Sequence, residues 1–444
     1  MRKIGPRISS RFITCFAGTV TLKLFCVPGN QTANVIQLTS GALKDGHAVA
    51  AFRTETTGKR RVVALDSLRA LAVLLVIWVH SGNPDLIIGG YHGVLLFFVI
   101  SGFLITGILL DARGYAAPAD ILRAFFARRV LRIFPVYYLV LLVTFAEGIS
   151  AVRNSVGWHV SYLSNWYFIN RGSFDGAASH LWSLAVEEQF YVLWPWFALL
   201  IPLAALPWAI GLMILTGPVS RLVMSLAGMS DLAVTTATPT VMDALGLGCL
   251  LAYASRHTTS AARIARWALI TGGLLIAVQL VATRVGEPAP LHFAMWTLGW
   301  RVLCLSIVYH ASRAAGQGVF SRLIRARPLV YVGTISYAMY LVHMFVMPTV
   351  QLVQNKLGIN LLPLYSSGHR QFVTVSVLSI AAASVSWVLL ERPINNLRRA
   401  FPYVREIQHA SCVVAIAPAE AAEVDDPVNY QPPANVTAAS QQSI

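Results

Sequence analysis

Charge is what this sequence has least of. Only 12% of its 444 residues are Asp, Glu, Lys or Arg, and just 19 are acidic. A soluble globular domain is about 25% charged, so an ordinary water-facing surface wrapped around a core is excluded. Cysteine is sparse as well. Cys15, Cys26, Cys249, Cys304 and Cys412 show no Cys-x-x-Cys spacing, which excludes a disulfide framework and a cysteine-type zinc site. No His-x₃-His pair and no phosphate-cradling GxGxxG or Walker loop occurs, which leaves metal and nucleotide-hydrolysis mechanisms without a motif. What the chain has instead is apolar residues, 56% of the total, and a mean hydropathy of +0.63. That composition is the mark of a polytopic membrane protein.

Ten apolar spans are expected, at about 63–82, 91–111, 133–150, 181–204, 206–227, 239–256, 265–284, 291–312, 329–353 and 370–391. The fold class is therefore all-α, with about ten transmembrane helices. Pro207, Pro218 and Pro239 bound or break the fifth and sixth. The net charge of +15 does not argue for nucleic acid, because the basic residues fall in short clusters between spans. Alternating the connections from residue 53 onward places twenty Lys and Arg on one side and five on the other. That bias puts the first side, with both termini, in the cytoplasm of a cell whose inner membrane holds the chain. Three regions follow: an N-terminal extension at 1–58, poorly ordered or an over-long gene start; a transmembrane domain at 59–394; and a largely disordered cytoplasmic tail at 395–444. Arg2, Lys3, Arg7 and Arg11 before a moderately apolar stretch also allow a signal peptide.

Arg69 and His80 lie inside the first span, eleven residues apart. Three helical turns separate them, about 16 Å along the axis and nearly on one face. An ionisable group costs about 2.5–3.5 kcal/mol at the centre of a membrane helix, so the pair points to function before it points to snorkelling.

The run from Leu65 to His80, with Asp66, Arg69 and His80, resembles the opening helix of the acyltransferase-3 family. Six further segments resemble that family in order. They are Gly93–Phe103, Arg128–Tyr137, Trp182–Tyr191 with Trp194-Pro195, Asp243–Gly248, Ile335-Ser336-Tyr337 with Tyr340, Leu341 and His343, and Glu391–Ile394. Two positions depart from the pattern. Leu95 stands where family members often carry Asp, and Val241-Met242 precede Asp243 where many carry Arg, so no role is carried onto either. The resemblance implies an enzyme that moves an acyl group, often acetyl, from acyl-coenzyme A to a hydroxyl of an extracytoplasmic glycan. Lipopolysaccharide, exopolysaccharide, peptidoglycan and lipid-linked oligosaccharides are such acceptors. Acetyl-coenzyme A is then a co-substrate, no metal is needed, and the bilayer and the glycan are the partners.

The polar residues sort into two layers under this topology. Asp66, Arg69, Arg129 and Arg132 lie near the cytoplasmic face, where guanidinium forks suit the phosphates of coenzyme A. Arg129 and Arg132 share a helix face, and Asp66 can pair with Arg69 three residues on. Arg128 reads as a positive-inside residue. His80, Trp182, Glu187 and Glu188 lie towards the outer face. His80 is the expected general base, and Glu187 or Glu188 would orient its ring. Ser101 beside Gly102 reads as helix packing or substrate lining before it reads as a nucleophile. Ser336, Tyr340 and His343 form one helical stripe facing the bundle interior, with Tyr337 beside it. The rival reading is a transporter or flippase that moves a lipid-linked glycan or acyl group without catalysis.

Overall fold

The computed structural model describes residues 9–16, 19–25, 36–37, 63–83, 90–174, 176–285, 290–314, 318–360, 363 and 366–403. The chain divides into two units. In the first, Met1–Lys59 with Ile407–Ile444, the strands β1 (Ser9–Phe16), β2 (Thr19–Phe25) and β3 (Ile36–Gln37) pair antiparallel in that order. The rest of the expected N-terminal extension, and the tail beyond 403, lie outside the described residues.

The second unit, Arg60–Glu406, is built of helices. Its first half holds α1 (Val63–His80), α2 (Gly90–Ala112), α3 (Pro118–Ala146), the short α4 (Ser150–Arg153), α5 (Val156–Val160) and α6 (Ser164–Arg171), then α7 (Leu181–Leu200) and α8 (Leu206–Leu226). Its second half holds α9 (Asp231–Thr236), α10 (Met242–His257), α11 (Ala261–Val285), α12 (Pro290–Ser312), α13 (Val319–Leu323), α14 (Arg327–Leu357), α15 (Gly368–Ser386) and α16 (Arg392–Leu397). Local chemistry sets the ends. Pro118 opens α3 with Asp120 in its first turn, where a missing N–H and a negative charge both suit a helix N-terminus. The Ser367 hydroxyl caps α15 through the Arg370 N–H, and α14 stops at Gly358 with φ +65°.

Each of the ten expected spans coincides with a helix. Among the described residues, seven stretches are long and apolar enough to cross a membrane: Val63–His80, Gly90–Ala112, Pro118–Ala146, Leu206–Leu226, Ala261–Ala282, Arg327–Leu357 and Gly368–Ala400. The other three, α7, α10 and α12, fall outside that set, and for them crossing stays an expectation. The 16 residues of α10 reach only about 24 Å, short of a hydrocarbon core of about 30 Å. The perimeter suits lipid. Leu142, Leu193, Leu212, Leu274, Val377 and Leu389 are all more than half exposed, a cost in water that vanishes in hydrocarbon. The tail boundary expected at 394 falls inside α16, and a 3₁₀ turn at Arg398–Ala400 follows it.

Two close helix approaches hold the bundle in register. A Cβ on Gly102 would lie 2.0 Å from the Leu245 carbonyl oxygen, and one on Gly248 would lie 2.2 Å from that of Val99. α2 and α10 therefore meet backbone to backbone. A Cβ on Gly333 would lie 1.8 Å from the Asp66 carbonyl oxygen, so α14 meets α1 the same way. This contact sets the Asp66–Arg69 turn beside the start of the Ser336 stripe.

Candidate active site

Three cavities run in series through the helical unit. The first, of about 60 Å³, is lined by Arg69, Arg129, Arg132, Ser101, Glu187 and Tyr340 among others. The second, of about 520 Å³, is lined by His80, Tyr91, His180, Trp182, Trp296 and Tyr340 among others. Val94 and Tyr340 border both, so they form the partition between them. A third cavity of about 260 Å³ meets the second at His80 and is lined also by His343, Met344 and Met347.

The arginine cavity concentrates positive charge. Arg69, Arg129 and Arg398 lie within electrostatic range of Arg132. Asp66 sits 3.9 Å from Arg69, at the i,i+3 spacing. The Arg129 guanidinium lies 4.8 Å over the Tyr191 ring, a cation–π placement. Glu187 answers part of this charge. Its carboxylate accepts hydrogen bonds from the hydroxyls of Ser101 and Tyr191, which lie 2.9 Å from each other. Arg128 turns away from the cavity. Its Nε donates to the Phe401 carbonyl at 2.5 Å and its guanidinium covers Tyr403 at 4.6 Å.

Three histidines meet at the other side of the partition. His343 Nδ1 lies 2.5 Å from the Tyr340 carbonyl oxygen, which can only accept, so Nδ1 carries the proton and Nε2 the lone pair. His80 Nδ1 lies 2.9 Å from that Nε2 and must donate to it. The His80 Nε2 is therefore left as the basic nitrogen. His180, just ahead of α7, packs its ring 4.8 Å from His343 and donates from Nε2 to the Leu341 carbonyl at 3.0 Å. Burial, and then the nearby His80, push the His180 imidazole down to about 3, which keeps it neutral.

The match to known proteins bears directly on this arrangement. The model of the acyltransferase-3 family, an acyltransferase domain, matches residues 62–390. The chain belongs to the acyltransferase-3 family. It is 31% identical to YrhL of Bacillus subtilis over 379 residues, 77% of this chain and 56% of that one. It is 32% identical to OatA of Listeria monocytogenes, a peptidoglycan O-acetyltransferase, over 316 residues, 66% of this chain and 50% of that one. OatA of Staphylococcus aureus, an O-acetyltransferase, is 27% identical over 397 residues, covering 80% of this chain and 61% of its own. The chain thus spans about half to three-fifths of the length of these relatives. No solved structure matches it.

Within this acyltransferase-3 chain the structure joins most of the expected site residues and separates two of them from His80. Arg69, Arg129, Arg132, Ser101, Ser336 and Tyr337 share the arginine cavity. His80 and Trp182 share the second cavity, and His343 borders the third. Glu187 lines the arginine cavity, not the cavities that His80 borders. The reason is depth: Glu187 is seven residues past His180, about 10 Å further along the axis. Glu188 lies in electrostatic range of Tyr137, Tyr162 and Tyr337. The ring of His80 is held by an imidazole, His343, where a carboxylate was expected.

At the two departures from the family pattern the structure is informative. Leu95 is fully buried in the apolar core. Asp243, preceded by Val241 and Met242, receives its guanidiniums from other helices. Arg221 Nη2 donates to it at 2.7 Å and Arg301 Nε lies 3.1 Å away. All three residues are buried. His180, Tyr191, Arg301 and Arg398 were not expected at the site. Arg301, a single charge in the apolar run of α12, carried the one signal that could have flagged it.

Proposed function

We infer that this chain is a membrane O-acyltransferase that moves an acetyl group from acetyl-coenzyme A to a hydroxyl of an extracytoplasmic envelope glycan. One observation carries the reading: a cluster of guanidiniums and a tautomer-fixed histidine face two cavities that meet at a thin partition, Val94 and Tyr340. The O-acetyltransferase names of its relatives and the positive-inside bias, which puts the arginine cavity on the cytoplasmic side, support it.

The arginine cavity, at about 60 Å³, is too small for a nucleotide. The phosphates of coenzyme A stay at its mouth on Arg129, Arg132 and Arg398, and the pantetheine arm reaches past Ser101 towards Tyr340. The glycan hydroxyl enters the second cavity and meets the thioester at the partition. His80 Nε2 takes the hydroxyl proton as the oxygen attacks the thioester carbonyl. The tetrahedral intermediate collapses, the carbon–sulfur bond breaks, and the imidazolium returns its proton to the leaving thiolate. His343 holds the Nδ1–H of His80 throughout, so the ring cannot present the wrong nitrogen.

The test is to incubate membranes containing the chain with radiolabelled acetyl-coenzyme A and envelope glycan and to recover base-labile label on the glycan. Glycan crossing the membrane with no new ester would favour the transporter reading. Arg132→Ala is expected to raise the donor KM by about 10-fold to 100-fold, the worth of a charged hydrogen bond, with kcat changed far less. An unchanged donor KM would remove Arg132 from the donor site.

A further inference from the structure

A tyrosine that lines the second cavity has its hydroxyl oxygen engaged from behind by a buried cation. Arg301 Nη2 lies 3.0 Å from the Tyr91 hydroxyl oxygen. A guanidinium can only donate, so this oxygen is an acceptor there, and the phenolic proton must be given elsewhere. Tyr91 lines the cavity, and among the described residues its hydroxyl shows no other hydrogen bond. Arg301 is itself fully buried and pinned on Asp243, which also binds Arg221. The cluster thus holds two guanidiniums against one carboxylate, and its surplus positive charge lies directly behind the Tyr91 oxygen. Such polarisation strengthens the outgoing O–H as a donor. The surroundings complete a platform for a ring. Tyr91 stacks on Trp182 at 6.4 Å, and Trp182 and Trp296 both border the cavity.

We propose that Tyr91 is the acceptor-recognition residue, and that it selects sugars bearing an N-acyl carbonyl or a carboxylate over neutral ones. The sugar face rests on the indoles, and the Tyr91 hydroxyl donates to the carbonyl or carboxylate oxygen. This fixes which hydroxyl of the ring is presented to His80, which lines the same cavity. Tyr91 acts by positioning and takes no proton in the transfer. The proposal rests on the acyl-transfer reading only in treating the bound sugar as the acceptor.

Direct binding separates the two ideas. Purified wild-type protein and Tyr91→Phe are titrated with chitotetraose, oligogalacturonate and cellotetraose, following tryptophan fluorescence. The wild type is expected to bind chitotetraose or oligogalacturonate about tenfold or more tighter than cellotetraose, the worth of one good hydrogen bond, charge-assisted in the case of the carboxylate. The tighter of the two shows whether carbonyl or carboxylate is the preferred oxygen. Tyr91→Phe keeps the ring on Trp182 and is expected to bind all three alike. Equal binding by the wild type, or an undiminished preference in Tyr91→Phe, would overturn the proposal even if acyl transfer proceeds. Selective binding by a protein that transfers no acyl group would leave the proposal standing and remove the catalytic reading.

Discussion

His80→Ala is expected to abolish acyl transfer to the glycan while the protein accumulates in the membrane at its normal level. General-base catalysis contributes about 10²-fold to 10⁴-fold, so label incorporated from acetyl-coenzyme A falls by that factor at least. The donor KM stays put, because Arg69, Arg129 and Arg132 line a different cavity. His343→Leu gives a smaller fall, confined to kcat. The base is still present, but nothing then holds its Nδ1–H, and the neutral ring is free to take the tautomer that presents the wrong nitrogen. His343→Gln recovers much of that loss, since an amide oxygen can accept from Nδ1 as the His343 Nε2 does. Wild-type rates in His80→Ala membranes would end the assignment. A His343→Gln variant no better than His343→Leu would end the account of the tautomer.

Asp243→Ala leaves two buried guanidiniums facing each other without their shared carboxylate. Arg221 keeps the Thr240 carbonyl and Arg301 keeps Tyr91, but the opposing charge is gone. Breaking a buried ion pair from one side costs about 3–5 kcal/mol. Because the cluster ties α8, α10 and α12 together, the loss is expected as a large drop in the melting temperature of the detergent-solubilised protein. Asp243→Asn, which keeps one acceptor oxygen, falls between Asp243→Ala and wild type. An unchanged melting profile in Asp243→Ala would mean that water reaches the cluster.

The sequence foretold the helices well because an apolar run of membrane length has few alternatives once its backbone must satisfy itself. Contacts within one helix were equally legible. The Asp66–Arg69 pair and the Ser336–Tyr340–His343 stripe depend only on helical periodicity. What stayed hidden lies between helices. The partner of His80 is 263 residues away in sequence, and hydropathy says nothing about how one helix is rotated against another. The same blindness leaves Glu187 and Glu188 equal candidates for orienting His80 in the sequence. His80 and Glu187 both lie near span ends in the sequence, but Glu187 faces inward two turns below the helix start and binds Ser101 and Tyr191. The Asp243 cluster draws on three helices and leaves no trace in any one of them apart from isolated charges.

The glycine contacts limit how the bundle can move. With Gly102 and Gly248 pressing α2 onto α10, and Gly333 pressing α14 onto α1, neither pair can slide without a backbone collision. Val94 sits on α2 and Tyr340 on α14, so each half of the partition belongs to one of these pairs. Rotation of the Tyr340 side chain, whose hydroxyl meets that of Ser183 at 2.6 Å, is the small movement expected to join the two cavities while each glycine-locked pair keeps its register.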